Sequence, residues 1–118
     1  MPAPTMYAQG DILIERVRRK RLKSWSDEIP AEPDGTIVLE RGEFSGHRHA
    51  VHGDARFVRE YPLGRLVTNY VGHLHVTGDG VVLRHEEHDP IPLPKGIYRV
   101  HRQREFTARE SDLGFVAD

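Results

Sequence analysis

The chain has 118 residues, enough for one domain, and its formal net charge of −1 excludes a strong overall field. It contains no cysteine, which excludes disulfides, thiolate nucleophiles and cysteine-ligated zinc or iron–sulfur sites. No apolar run is long enough to span a bilayer, and the N-terminus lacks the pattern of a signal peptide. We therefore expect a cytoplasmic protein without membrane contact.

The chain opens with a proline-containing stretch, residues 1–9, which we expect to be a loose lead-in. Gly10 then provides a turn, and alternating apolar residues from Ile12 onward predict a first β-strand. This strand runs into a basic segment, residues 16–23, which suits either a solvated strand end or a phosphate-binding arm. Trp25 follows directly and is suited to cap the core or to stack on a base.

A loop is predicted over residues 24–35, where prolines and an Asp-Gly pair break both helix and strand. Three short strands are then expected, in the segments 36–44, 47–52 and 55–61, because β-branched and aromatic residues alternate there with polar ones. Glycines separate the segments and mark turns.

Residues 65–91 contain two strands joined by the turn sequence Gly78-Asp79-Gly80, a strong hairpin signal. The prolines that follow exclude helix and central sheet positions. A last strand is predicted over 97–106, and the tail 107–118 either docks or stays loose. No segment sustains helical periodicity, so residues 1–118 are expected to form a single all-β domain, a small barrel or sandwich of about seven or eight strands.

Histidine is the strongest chemical signal of the chain. Two His-x-His pairs occur, His47/His49 and His73/His75, and a third cluster at 85–88 adds two glutamates. Side chains alternate along a strand, so both rings of such a pair share one face and can reach one metal ion. Any single histidine is also compatible with a plain surface role.

From these patterns we predict a metal site built by His47, His49, Asp54 and His101, with the second His-x-His pair as the competing candidate. Asp54 follows the first pair across a turn. His101 lies on the last strand, among polar residues of the same face. Imidazole ligands suit zinc, iron, nickel, copper or manganese, so a divalent transition metal is expected.

Such a set of ligands leaves open positions on the metal, through which it could polarise a bound small molecule or activate water or dioxygen. Glu86 and Glu87, between two histidines, are then the candidates for a general acid or base. The sequence does not identify a substrate, and whether the protein is an enzyme stays open.

The segments GHRHAVHGD and PLPKGIYRVH resemble the two motifs of the cupin superfamily, which are small β-barrel proteins. His47, His49 and Asp54 match the first motif, with aspartate where the family usually has glutamate. Pro94 and Gly96 match the second motif. The resemblance implies a metal-dependent oxygenase, an isomerase or a ligand-sensing barrel.

Besides the aspartate, the chain departs from the cupin pattern at two points. Gly42 is one residue too close to His47. The histidine of the second motif should stand three residues after the glycine, where this chain has Arg99. His101 follows two residues later, on the same face of the strand, and is the position that we assign to the site.

Two other functions fit the sequence. A nucleic-acid-binding barrel would use the basic segment, with Arg18, Arg19 and Arg21 as phosphate contacts and an aromatic residue for stacking. A structural or partner-binding module without chemistry would owe pH-sensitive assembly to its histidines. Under each of these functions we expect a homodimer, because small sheets often cover their edges by pairing.

Overall fold

The protein is all-β, as predicted, and the computed structural model describes residues 5–42, 46–60 and 69–102. Ten strands form two antiparallel sheets that are stacked as a sandwich. Within the described ranges the sheets stay open and do not close into a barrel, and there are more strands than expected. The same ranges contain no helix that is long and apolar enough to cross a membrane.

The strands, numbered along the chain, are β1 Met6–Gln9, β2 Ile12–Val17, β3 Asp27–Ile29, β4 Thr36–Arg41, β5 Arg48–His52, β6 Ala55–Arg59, β7 Tyr70–Val76, β8 Val81–His85, β9 His88–Leu93 and β10 Gly96–Arg102. Six of them form one sheet in the order β1-β2-β10-β7-β6-β3. The other four form the second sheet in the order β4-β5-β8-β9.

Alternating apolar residues fill the space between the sheets. Ile12 and Ile14 of β2, Leu74 of β7 and Leu83 of β8 are each 0% exposed, and Tyr98 of β10 packs among them. Burying an aliphatic side chain of this size contributes about 1.5–3 kcal/mol. The intervening residues face outward, so polar chemistry is confined to the outer faces and the ends of the sandwich.

Two predictions about the edges were wrong. Residues 1–9 are not a loose lead-in throughout, because Met6–Gln9 pairs with β2, while residues 1–4 lie outside the described ranges. The predicted loop 24–35 contains β3, which pairs with β6 through Asp27–Ile29. Both are short edge strands without clear alternation, so the hydrophobic pattern carries little signal there.

Two predicted strands also extend less far than expected. Strand β2 ends at Val17, before most of the basic segment, and β4 ends at Arg41. Strand β10 is described as far as Arg102, and the predicted tail 107–118 lies outside the described residues. The proline-containing strand β9 is at an edge, as the missing backbone donors of its prolines require.

Candidate metal centre

The β8–β9 hairpin and the start of β5 bring four histidines together. His85 ends β8 and His88 begins β9, so the tight turn between them leaves their ring centroids 4.7 Å apart. The centroids of His47 and His49 lie 5.6 Å and 4.3 Å from that of His85. Pairing of β5 with β8 sets these two distant segments side by side.

Three side chains of this cluster are spaced as metal ligands. The ligand atoms of His47, His85 and Glu86 all lie within 4.8 Å of one another. Among the residues that the structure describes, no other group of three or more histidines and acids has this spacing. Metal–ligand bonds of about 2.0–2.2 Å require donor atoms roughly 3–3.5 Å apart, so modest side-chain rotations would close the group.

The two glutamates of the β8–β9 turn give this cluster features that favour a cation. Glu87 Oε1 lies 2.8 Å from His47 Nδ1. Because an ionised carboxylate only accepts hydrogen bonds, the neutral imidazole carries its proton on Nδ1 and its lone pair on Nε2. The backbone N–H of Arg48 donates to Glu86 Oε1 at 2.9 Å and holds the pKa of Glu86 below its ordinary value. Glu86 is therefore an anion at neutral pH.

His85 is engaged through one nitrogen. Its Nδ1 accepts the backbone N–H of Glu87 at 3.0 Å, which fixes the ring against the turn. The neutral ring consequently carries its proton on Nε2. His85 is half-buried, and its ring is the one that the other three histidines surround.

His49 is buried and already has partners at both nitrogens. Its Nδ1 lies 2.9 Å from Gln9 Oε1 and its Nε2 lies 2.9 Å from Asp11 Oδ1. Gln9 Nε2 donates to the carbonyls of Leu83 and Asp89, which fixes the orientation of the amide. Burial lowers the pKa of His49, and Asp11 opposes that shift. Both nitrogens face protein oxygens, and His49 is not among the three side chains with ligand spacing, so its ring supports the cluster.

The turn between β1 and β2 closes the cluster from one side. Gly10 has φ +57°, and a Cβ added there would lie 2.7 Å from Nε2 of His88 and 3.1 Å from Cε1 of His49. Both the left-handed backbone and the close approach therefore favour glycine.

The other two predicted ligands lie elsewhere. Asp54 is exposed in the β5–β6 turn, where its backbone carbonyl accepts the N–H of Thr77 at 2.9 Å. His101 lies on β10, with Nε2 3.9 Å from Glu15 Oε1. The structure therefore brings His47 and His49 together but brings neither Asp54 nor His101 to them.

The two histidines of the competing pair, His73 and His75, differ in burial. The Tyr70 hydroxyl accepts the backbone N–H of Glu60 at 3.1 Å and so donates its own proton to His73 Nδ1 at 2.7 Å. Burial lowers the pKa of His73 to about 4, so the ring is neutral, although Glu60 Oε1 is only 3.4 Å away. That carboxylate instead accepts two bonds from Arg19, at 2.7 Å and 3.0 Å. His75 is half-buried outside this network.

A cleft of about 340 Å³ adjoins the metal-ligand group. His85 and Glu86 form part of its wall, and Arg48, Arg84 and His52 form another part. Arg48 is paired with a glutamate, whereas Arg84 is exposed. The cleft therefore offers positive charge beside the candidate metal ligands.

The predicted phosphate contacts separate into different environments. Arg19 is committed to Glu60, with Nη2 2.7 Å from Oε1. Arg18 is exposed and lines a hollow on the outer face of the six-stranded sheet. Arg21 is exposed and does not line that hollow.

Sequence reasoning did not assign His85 and Glu86 as metal ligands. The signal was the sequence His85-Glu86-Glu87-His88. On a regular strand, the two histidines of this sequence would point to opposite faces. A two-residue hairpin turn folds the two histidines toward each other, so their spacing suits a turn-borne site. Gln9 and Asp11 had no motif that pointed to the cluster.

A family model described as "Domain of unknown function (DUF8820)" matches residues 8–103. The match includes both segments that form the candidate metal centre. No curated protein and no solved structure matches the chain.

Proposed function

We propose that this chain, which belongs to the family of unknown function DUF8820, binds one divalent transition metal through His47, His85 and Glu86. The observation that carries the proposal is the convergence of their ligand atoms within 4.8 Å. Two imidazoles and a carboxylate suit zinc or iron best, and nickel, copper and manganese remain in the same class of metals.

The proposed ligand set leaves positions on the metal for water or for an oxygen of a bound molecule. The adjoining cleft is large enough for a small ligand, and the guanidinium of Arg84 favours an anionic one. We therefore propose a small carboxylate or phosphate compound as the ligand, polarised by the metal.

The two glutamates take different roles from those expected of an acid–base pair. Glu86 would be a metal ligand, and Glu87 would position His47 through their 2.8 Å contact. The cupin assignment stays a prediction, and its ligand set shares only His47 with the proposal.

Metal binding at His85 would alter the hairpin turn. A metal on Nδ1 takes the lone pair that now accepts the Glu87 N–H, and a metal on Nε2 requires the ring proton to move to Nδ1. Either way the 3.0 Å contact between Glu87 N and His85 Nδ1 must open. The backbone amide of Glu87 is therefore a direct reporter of metal binding at this ring.

The test is elemental analysis and zinc titration of protein purified without a metal-binding tag. We expect one equivalent in the wild type, its loss in His47→Ala and His85→Ala, and a large shift of the Glu87 amide resonance on zinc addition. His75→Ala serves as the matched control and should keep the metal. Metal loss in Asp54→Ala and His101→Ala, with none in His85→Ala, would favour the cupin-like set instead.

A further inference from the structure

The outer face of the six-stranded sheet carries a groove that is separate from the proposed metal site. It consists of two adjacent hollows, of about 1020 Å³ and about 390 Å³, which share Val17 and Arg19 as lining residues. The basic segment after β2 lies along both. The metal-ligand group lies at the β5 and β8–β9 segments of the other sheet.

The larger hollow is strongly positive. Arg16, Arg18, Lys20 and Lys95 line it, and none of the described residues in its lining is acidic. Arg16 Nη2 donates to the carbonyl of Lys95 at 3.0 Å. This hydrogen bond orients the guanidinium toward the hollow, close to Gly96, where an added Cβ would lie only 3.2 Å from it.

The smaller hollow adds an aromatic surface. Trp25 lines it and is 48% exposed, and the Lys23 ammonium lies 5.3 Å from the centre of its indole ring. Arg99 also lines this hollow, and its Nε is buried without a hydrogen-bond partner in the described chain. A buried donor of this kind favours a ligand that brings an acceptor.

The one carboxylate among the described lining residues of the smaller hollow does not oppose an anion. Glu60 accepts both Arg19 bonds, the backbone N–H of Lys23 at 3.2 Å and the hydroxyl of Ser26 at 3.4 Å. Burial raises the pKa of Glu60, but the hydrogen bonds from Arg19 and from the backbone N–H of Lys23 outweigh it and hold the pKa below its ordinary value. Its charge is neutralised within the network, which leaves the lysines and the exposed arginines to act outward.

We propose that this groove binds single-stranded nucleic acid, with a base stacked on Trp25 and phosphates along Arg16, Arg18, Lys20 and Lys95. A half-exposed indole beside a positive track matches the way such strands are bound without reading their sequence. The paired bases of a duplex offer no free face to an indole. A lone phosphate has no base to stack, so it would leave the exposed indole without a role. The proposal is independent of the metal centre.

The test is fluorescence anisotropy with a labelled oligothymidine of about 12 nucleotides, a length within the span of small single-strand binding folds. Trp25 is the only tryptophan of the chain, so quenching of the intrinsic emission reports stacking at this position alone. We expect saturable binding with quenching. Four phosphate contacts predict a slope of log affinity against log salt of about −3.

Three variants and a matched control sharpen the test. Trp25→Leu should weaken binding about tenfold, whereas Trp25→Phe, which keeps a stacking ring, should lose much less. The triple variant Arg18→Gln, Lys20→Gln, Lys95→Gln should reduce the salt slope to about −1. Arg41→Gln, which removes an exposed charge from the other sheet, is the matched control and should leave the affinity unchanged.

Several outcomes would overturn the proposal. These are no saturable binding at about 50 mM salt, equal affinity for a duplex of the same length, binding of a mononucleotide but not of the oligomer, and equal losses from Arg41→Gln and the triple variant.

Discussion

The two His-x-His pairs of this chain have the same spacing but different surroundings. His47 and His49 stand at the start of β5, where His47 is half-buried beside the carboxylate of Glu87. His73 and His75 stand in the middle of β7, where His73 is 2% exposed. The first pair lies against the turn that carries Glu86 and Glu87, and the second lies within a sheet.

The difference shows what makes a histidine available to a metal. His73 has its Nδ1 lone pair taken by the Tyr70 hydroxyl, within a network in which Arg19 neutralises Glu60. His47 is held by a carboxylate that leaves its other nitrogen with the lone pair. An acceptor at one ring nitrogen therefore favours a lone pair at the other, whereas His85, whose Nδ1 accepts a hydrogen bond, must break that contact before it can bind a metal.

The largest effect is expected from the buried network. Glu60→Ala should lower the free energy of unfolding by about 3 kcal/mol, because it leaves Arg19 and the backbone N–H of Lys23 without their acceptor. Glu28→Ala, which removes an exposed pair with Arg56, should change it by less than about 1 kcal/mol. Urea denaturation measures both, and equal losses would contradict a buried network at Glu60.

The next effect sharpens the role of the turn. Glu87→Ala should weaken zinc binding about 10- to 100-fold, because His47 loses the carboxylate that orients it. Its free energy of unfolding should stay within about 0.5 kcal/mol of the wild type, since the side chain is exposed. Calorimetric zinc titration measures the affinity. An unchanged affinity would remove Glu87 from the site.

A third prediction concerns acid. Burial lowers the pKa of His73 to about 4, from an ordinary value of 6.5. Between pH 6.5 and about 4, His73 is protonated in the unfolded chain but not in the folded one. The free energy of unfolding therefore falls by up to about 1.4 kcal/mol for each pH unit of acidification in this range. His73→Gln should remove this part of the pH dependence. An NMR titration that placed the His73 midpoint near 6.5 would contradict the neutral ring.

The smallest effect is expected at Gly10. Gly10→Ala should destabilise the fold by about 1–2 kcal/mol, because φ is +57° and the new methyl group would press on His88. Gly46→Ala has similar backbone strain at φ +74°, but no atom of the described residues lies within 4 Å of the added Cβ. Thermal unfolding of both variants separates strain from contact, and an equal loss would mean that the His88 contact is unimportant.

The fold class was predictable because strand alternation and turn residues are local properties, and the same local pattern singled out the segment around His47 as a candidate. It could not predict which distant partners meet that segment. Asp54 is close to His47 in the chain, yet a turn carries it away to contact Thr77. His85 is distant in the chain, yet strand pairing brings it to 5.6 Å from His47 between ring centroids.

The most direct measurement is an anomalous difference map from crystals of the wild-type protein soaked in zinc. The proposed function predicts one strong peak bonded to nitrogens of His47 and His85 and to an oxygen of Glu86, at about 2.0–2.2 Å. No peak at this position, or a peak bonded to His49 and His101, would contradict it.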